Sequence, residues 1–127
     1  MALSTPSREL AQRILTEVGF EHRMVGARVR EHAGPMSQTM YSFAEIHGLL
    51  TDRDPRMDFV RLEEWIRTVM GDVELADRVA EAIKVGTCGA DQAWRIRDLM
   101  GERLAQCREI IAAEESGGRT GETTEQA

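Results

Sequence analysis

Few side chains in this sequence are of the kinds that do chemistry, and their spacing decides what that chemistry could be. Glu74 and Asp77 stand three positions apart, so on a helix both carboxylates would face the same way. A hard cation such as magnesium takes oxygen ligands of this type but needs more than two of them. The pair alone makes no metal site; Glu74 and Asp77 are its only candidates. Histidines occur at 22, 32 and 47, with Glu21, Glu31 and Glu45 close by. A metal or acid–base site would bring three or four such groups together, and none of these spacings sets two ligands one turn apart on a firm helix. Cys88, in the run Val85-Gly86-Thr87-Cys88-Gly89, precedes a helix whose N-terminus could lower a thiol pKa, although a plain turn residue is its ordinary role. No serine or cysteine sits in a nucleophile motif and no glycine pattern forms a phosphate loop. The sequence therefore offers no catalytic residue and calls for no cofactor.

Glu74-Leu75-Ala76-Asp77 resembles one half of the metal site of the all-α nucleoside triphosphate pyrophosphohydrolases, an E-x-x-D pair joined there by an E-E-x-x-E group on an earlier helix. Here Glu63-Glu64 is followed by Ile66 and Arg67, with no third carboxylate. The residues fit better as a negatively charged first helical turn after Asp72, favoured by the helix dipole.

The elements that must position these residues read as helices. Asp54-Pro55 is a cap-then-proline start, and Gly71 a stop, for a helix whose Phe59, Leu62, Trp65, Ile66, Val69 and Met70 share one face. Thr5-Pro6 starts an earlier helix through Leu10, Ala11, Ile14, Leu15 and Val18, ending at Gly19 with Phe20 folding back on Leu15. Residues 20–35 fit two patterns: Val25, Ala27 and Val29 alternate as in a strand, while Phe20, Met24 and Ala27 fit a helix. Helix is the expectation, because a lone strand needs a partner and no second clear alternating run is present. Met40, Phe43, Ile46 and Leu50 recur with helical spacing, and Ser42 with Glu45 offers a capping box, so the next helix begins near Ser37 or Ser42. Asp72 caps a helix carrying Val73, Ala76, Val79, Ala80 and Ile83, with Glu74 four residues before Arg78 as a supporting pair. Asp91 opens the longest helix, in whose apolar stripe Arg103 is the one charged intruder.

The expected fold is all-α: a compact bundle of about five helices with short connections, one domain over 1–115, and a disordered tail over 116–127. A chain of 127 residues suits one core, and 42% apolar with 30% charged residues is ordinary for a folded domain. The net charge of −6 and pI near 5.1 argue against general affinity for nucleic acid or anionic lipid. No run of about eighteen apolar residues is present to span a membrane. Two cysteines without a C-x-x-C pattern fit reduced thiols in the cytoplasm.

Trp65-Ile66-Arg67-Thr68-Val69-Met70-Gly71-Asp72-Val73-Glu74-Leu75-Ala76 resembles a W-I-R-x-V-x-G-D-x-E-L-A segment in a small helical domain of uncharacterised prokaryotic proteins. The likeness covers about a dozen residues, and Asp58-Phe59 stands six residues before Trp65 where that domain has D-F-x-x-W. It implies a helical hairpin and supplies no activity.

With nearly every distinctive residue absorbed by amphipathic helices, the expected function is a non-enzymatic cytoplasmic interaction or regulatory module that holds a protein partner or a second copy of itself. Trp65 and Arg103 are the candidate contact residues, being types enriched where a partner buries a surface. Met36 and Met40 add an adaptable apolar surface, and His47 projects from the same side. The alternatives are a small metal- or ligand-binding domain or enzyme using histidine and carboxylates, and a helix-turn-helix DNA-binding regulator in which Trp94, Arg95 and Arg97 open the recognition helix. Asp91, Asp98 and Glu102 would face phosphates unfavourably in the latter, so nucleic acid is not the favoured partner.

Overall fold

A computed structural model describes residues 3–30, 34–52 and 55–126, with side chains except at 30 and 116–126. Helix α1 (Arg8–Leu15) leads through a 3-10 turn (Phe20–His22) into strands β1 (Met24–Arg30) and β2 (Gly34–Met40), then helix α2 (Phe43–Leu50) and the two-residue strand β3 (Pro55–Arg56). Helix α3 (Phe59–Trp65) continues as a π turn (Ile66–Met70), followed by α4 (Val73–Val85) and the long α5 (Gly89–Gln126). Helices α1, α2 and α4 all pack on α5, which makes it the spine of the molecule.

The expected all-α bundle is overturned by the antiparallel three-stranded sheet in the order β2-β1-β3, so the fold is mixed α/β with helix predominating. The segment expected as a helix after Phe20 is β1, and its missing partner is β2, paired from Met24↔Met40 to Arg30↔Gly34. Helical spacing misled because Met40, counted with Phe43 and Ile46, is buried from the end of a strand. In β2 the inward positions include polar Gln38 and the outward ones Ser37 and Thr39, so its alternation is faint in hydropathy. Gly34 has a φ of 71°, which suits glycine at the hairpin end.

Several boundaries also move. The helix expected from Asp54 starts at Phe59, capped by Asp58, whose Oδ1 accepts the Val60 and Arg61 amides at 3.1 and 3.2 Å. Pro55 instead opens β3, an edge position where its missing N–H costs nothing; Asp54 lies outside the described residues. Gly71, at φ 75°, ends the helical run as expected. Ser7 rather than Thr5 caps α1, which stops at Leu15, and Phe20 is exposed instead of folding back. Ser42 caps α2, with its Oγ accepting the Glu45 amide at 3.1 Å. Residues 116–126, expected as part of a disordered tail, are the last turns of α5; their side chains, and residue 127, lie outside the description.

The sheet meets the helices at α2. Gly26 of β1 lets Leu49 approach so closely that a Cβ there would lie 2.5 Å from Leu49 Cδ2 and 2.9 Å from the Arg56 carbonyl. Met24, Met40, Phe43, Ile46 and Leu49 then join one core with Ile66, Leu75, Ile96 and Met100. No helix among the described residues is long and apolar enough to cross a membrane.

Candidate interaction surface

Pairing in an antiparallel sheet sets cross-strand partners on the same face, so the register sorts the hairpin side chains. One face carries the pairs Met24↔Met40, Gly26↔Gln38 and Arg28↔Met36 and turns toward α2. Met24 and Met40 are buried there, while Arg28 Nε donates to Gln38 Oε1 at 2.6 Å and Nη1 meets Asp52 Oδ2 at 3.0 Å. Met36, farther along this face, is 53% exposed. The opposite face carries Val25↔Thr39, Ala27↔Ser37 and Val29↔Pro35. Val25, Pro35, Ser37 and Thr39 are exposed, Ala27 and Val29 half-buried, and none of the six is charged. Arg56 flanks this strip from β3, opposite Ala27.

The two edges of the sheet differ. One is β3, two residues long and carrying Arg56, which is how a protein blunts an edge. The other is β2, seven residues with no charged side chain, paired among the described residues only with β1. Its free run stops at Tyr41, whose carbonyl accepts the Val18 amide at 2.7 Å.

The other side chains singled out in the sequence are dispersed. Arg103 is buried, with all five of its N–H groups engaged: Nε and Nη2 on Asp72 at 2.7 and 3.3 Å, Nη2 also on Glu74 at 2.8 Å, and Nη1 on the Ser4 carbonyl and Gln106 at 2.7 and 2.9 Å. Asp72 also accepts the Leu75 amide as the cap of α4. The charged intruder of the apolar stripe thus ties the N-terminal segment and the α4 cap to α5. The cap-forming Asp72 was legible in the sequence, but its partner was not, because the two are far apart in the chain. Trp65 is buried and its Nε1 donates to the His22 carbonyl at 2.6 Å. Met40 is fully buried, and of the five proposed contact residues Met36 alone is exposed.

His47 is half-buried over α5, where a Cβ on Gly101 would lie 3.0 Å from its Nε2. Burial, then the charges of Arg108 and Arg97, push its pKa down, with Asp98 opposing. His22 is exposed on the turn before β1, and His32 lies outside the described residues. Glu74 and Asp77 are drawn to different partners: Glu74 to Ser4 and Arg103, and Asp77 to Arg67 at 2.9 Å. Hydrogen bonds from the Ser4 hydroxyl and amide, then from Arg103, pull the Glu74 carboxyl down to about 2. Among the described residues no three histidine, cysteine or acidic side chains converge as a metal would require. Cys88 is exposed, whereas burial raises the Cys107 thiol to about 11. A cleft of about 590 Å³ lies between the β3–α3 segment and the start of α5, with Phe59, Ile83 and the exposed Val60 and Trp94 on its walls.

No family model, no curated protein and no solved structure matches this chain.

Proposed function

We propose that this protein is a non-enzymatic cytoplasmic interaction module, and that the β1–β2 hairpin is its contact element. The carrying observation is the contrast between the hairpin and the rest of the chain: in a sequence with 30% charged residues, the outward strip of two seven-residue strands has none. Antiparallel sheets with one face toward solvent ordinarily turn polar and charged side chains outward. A bare strip beside an open edge offers both apolar contact and a row of backbone donors and acceptors. Arg95 and Arg97 at the start of α5 are paired with Asp91 and Asp98, which leaves little net positive potential for a DNA backbone and favours a protein partner.

The test is site-specific. A photo-crosslinking side chain at Val25 gives protein adducts in living cells, and the same group at Lys84, on another face, gives none. Equal labelling from both positions, or none from Val25, removes the hairpin from this role.

The second reading, a ligand-binding domain, is favoured by the cleft beside Trp94, whose volume of about 590 Å³ is that of a small-molecule site. Native mass spectrometry distinguishes it: a small molecule retained by the wild type and lost in Trp94→Ala would make the cleft the functional site.

A further inference from the structure

We propose that β2 pairs with β2 of a second copy of this chain, antiparallel about a two-fold axis at Ser37, so that two hairpins form one continuous sheet. This deepens the reading of the hairpin as a contact element and rests on it.

Symmetry makes the requirement strict. In an antiparallel pair of identical strands a residue faces itself at the axis, and those on either side face their mirror positions. Ser37 is the middle of Gly34–Met40, so Met36 meets Gln38 and Pro35 meets Thr39 across the axis. A charge at Ser37 would meet its like directly, and like charges opposite one another on neighbouring strands are destabilising. The sequence of β2, GPMSQTM, has no charge at any position, so no pair in this register opposes like charges, and Pro35, which has no N–H to donate, marks where the ladder ends on each side. The whole chain carries a net charge of −6, which makes most of its surface a poor choice for contact with itself. An uncharged edge is where two copies approach with least repulsion. The other edge, β3, offers only two residues, one of them Arg56.

The pairing also brings the two outward strips side by side. A two-fold axis perpendicular to the sheet sets both copies with the same face up, so Val25, Ala27 and Val29 of each lie on one continuous surface. That surface joins across Pro35, Ser37 and Thr39, the outward positions of β2.

The experiment uses the full chain in light scattering across a concentration series, with circular dichroism to check folding. The wild type reaches twice 14.2 kDa. Ser37→Asp, at an exposed position, keeps the wild-type spectrum but raises the dissociation constant by at least about tenfold, while Ser37→Asn remains dimeric. As a check independent of that variant, Ser37→Cys in a Cys88→Ser background is joined to its own copy by a short bis-maleimide, and Ser7→Cys in the same background is not. A wild type that stays at one chain mass, a dimer indifferent to Ser37→Asp, or equal crosslinking from positions 37 and 7 overturns the pairing. If the wild type is monomeric yet Val25 still gives adducts with another protein, self-pairing fails and the contact element stands. If the wild type is monomeric and Val25 gives no adduct at all, both fail.

Discussion

Asp72 and Arg103 form a buried two-toothed ion pair, with Nε 2.7 Å from Oδ2 and Nη2 3.3 Å from Oδ1, and both side chains almost wholly excluded from water. The same carboxylate caps α4 through the Leu75 amide, while the same guanidinium holds the Ser4 carbonyl. One pair therefore fixes three parts of the chain that are distant in sequence.

Removing only one member should be costly. Arg103→Met leaves the Asp72 carboxylate buried without its partner, and the expected loss is about 3–5 kcal/mol. Asp72→Asn with Arg103→Met retains a capping oxygen and removes both charges, so the double variant should lose less than Arg103→Met alone. Urea unfolding of the wild type, both single variants and the double gives the cycle. A double variant less stable than Arg103→Met would show that the pair is not what the single substitution disrupts.

Glu74 makes the N-terminal anchor sensitive to acid. Its folded pKa of about 2 lies below the ordinary 4.5, so its contribution is fully present above 4.5 and is lost as pH falls from there to about 2. Wild type and Glu74→Gln should differ in melting temperature at neutral pH and converge toward pH 2. A gap that stays constant over this range would mean that the carboxylate charge is not involved.

His47 acts in a higher range. Its folded pKa is depressed from 6.5, so the unfolded chain binds the proton first as pH falls. Stability should decline from about pH 6.5 downward until the folded histidine also protonates. His47→Leu should flatten this part of the stability profile, and an NMR titration of the imidazole should give a midpoint below that of an unfolded peptide.

The glycine beneath His47 gives a separate measurement. Replacing a mid-helix glycine by alanine ordinarily stabilises by about 1 kcal/mol, but at Gly101 the new methyl would meet His47 Nε2 at 3.0 Å. Gly101→Ala should be close to neutral in the wild type and recover the full gain in a His47→Ala background. Equal effects in the two backgrounds would show that the imidazole moves aside freely.

Gly26→Ala tests the seam between sheet and helix. The added methyl would lie 2.5 Å from Leu49 Cδ2, which can move, and 2.9 Å from the Arg56 carbonyl, which moves only if β3 does. A loss of about 1–3 kcal/mol is expected, read by thermal unfolding. A variant as stable as the wild type would mean that β3 is not held in place.

The sequence by itself determined the elements whose signals are local. Asp72, Ser42 and Gly71 act where a cap or a stop needs only neighbours within about one turn, and the stripe of α5 repeats often enough to declare a buried face, whereas α4 buries Leu75 and Ala82 and leaves Val73, expected on its stripe, exposed. Tertiary structure decided what depends on a distant partner. Val25, Ala27 and Val29 become a strand because residues 34–40 lie beside them, and the polar Gln38, Ser37 and Thr39 gave that partner no legible period. Arg103, which stood out only as a misplaced charge, becomes interior because Asp72, Glu74 and Ser4 converge on it from chain positions about thirty to one hundred residues away. Strand pairing and buried ion pairs are relations between separated residues, and only the folded chain brings their two halves together.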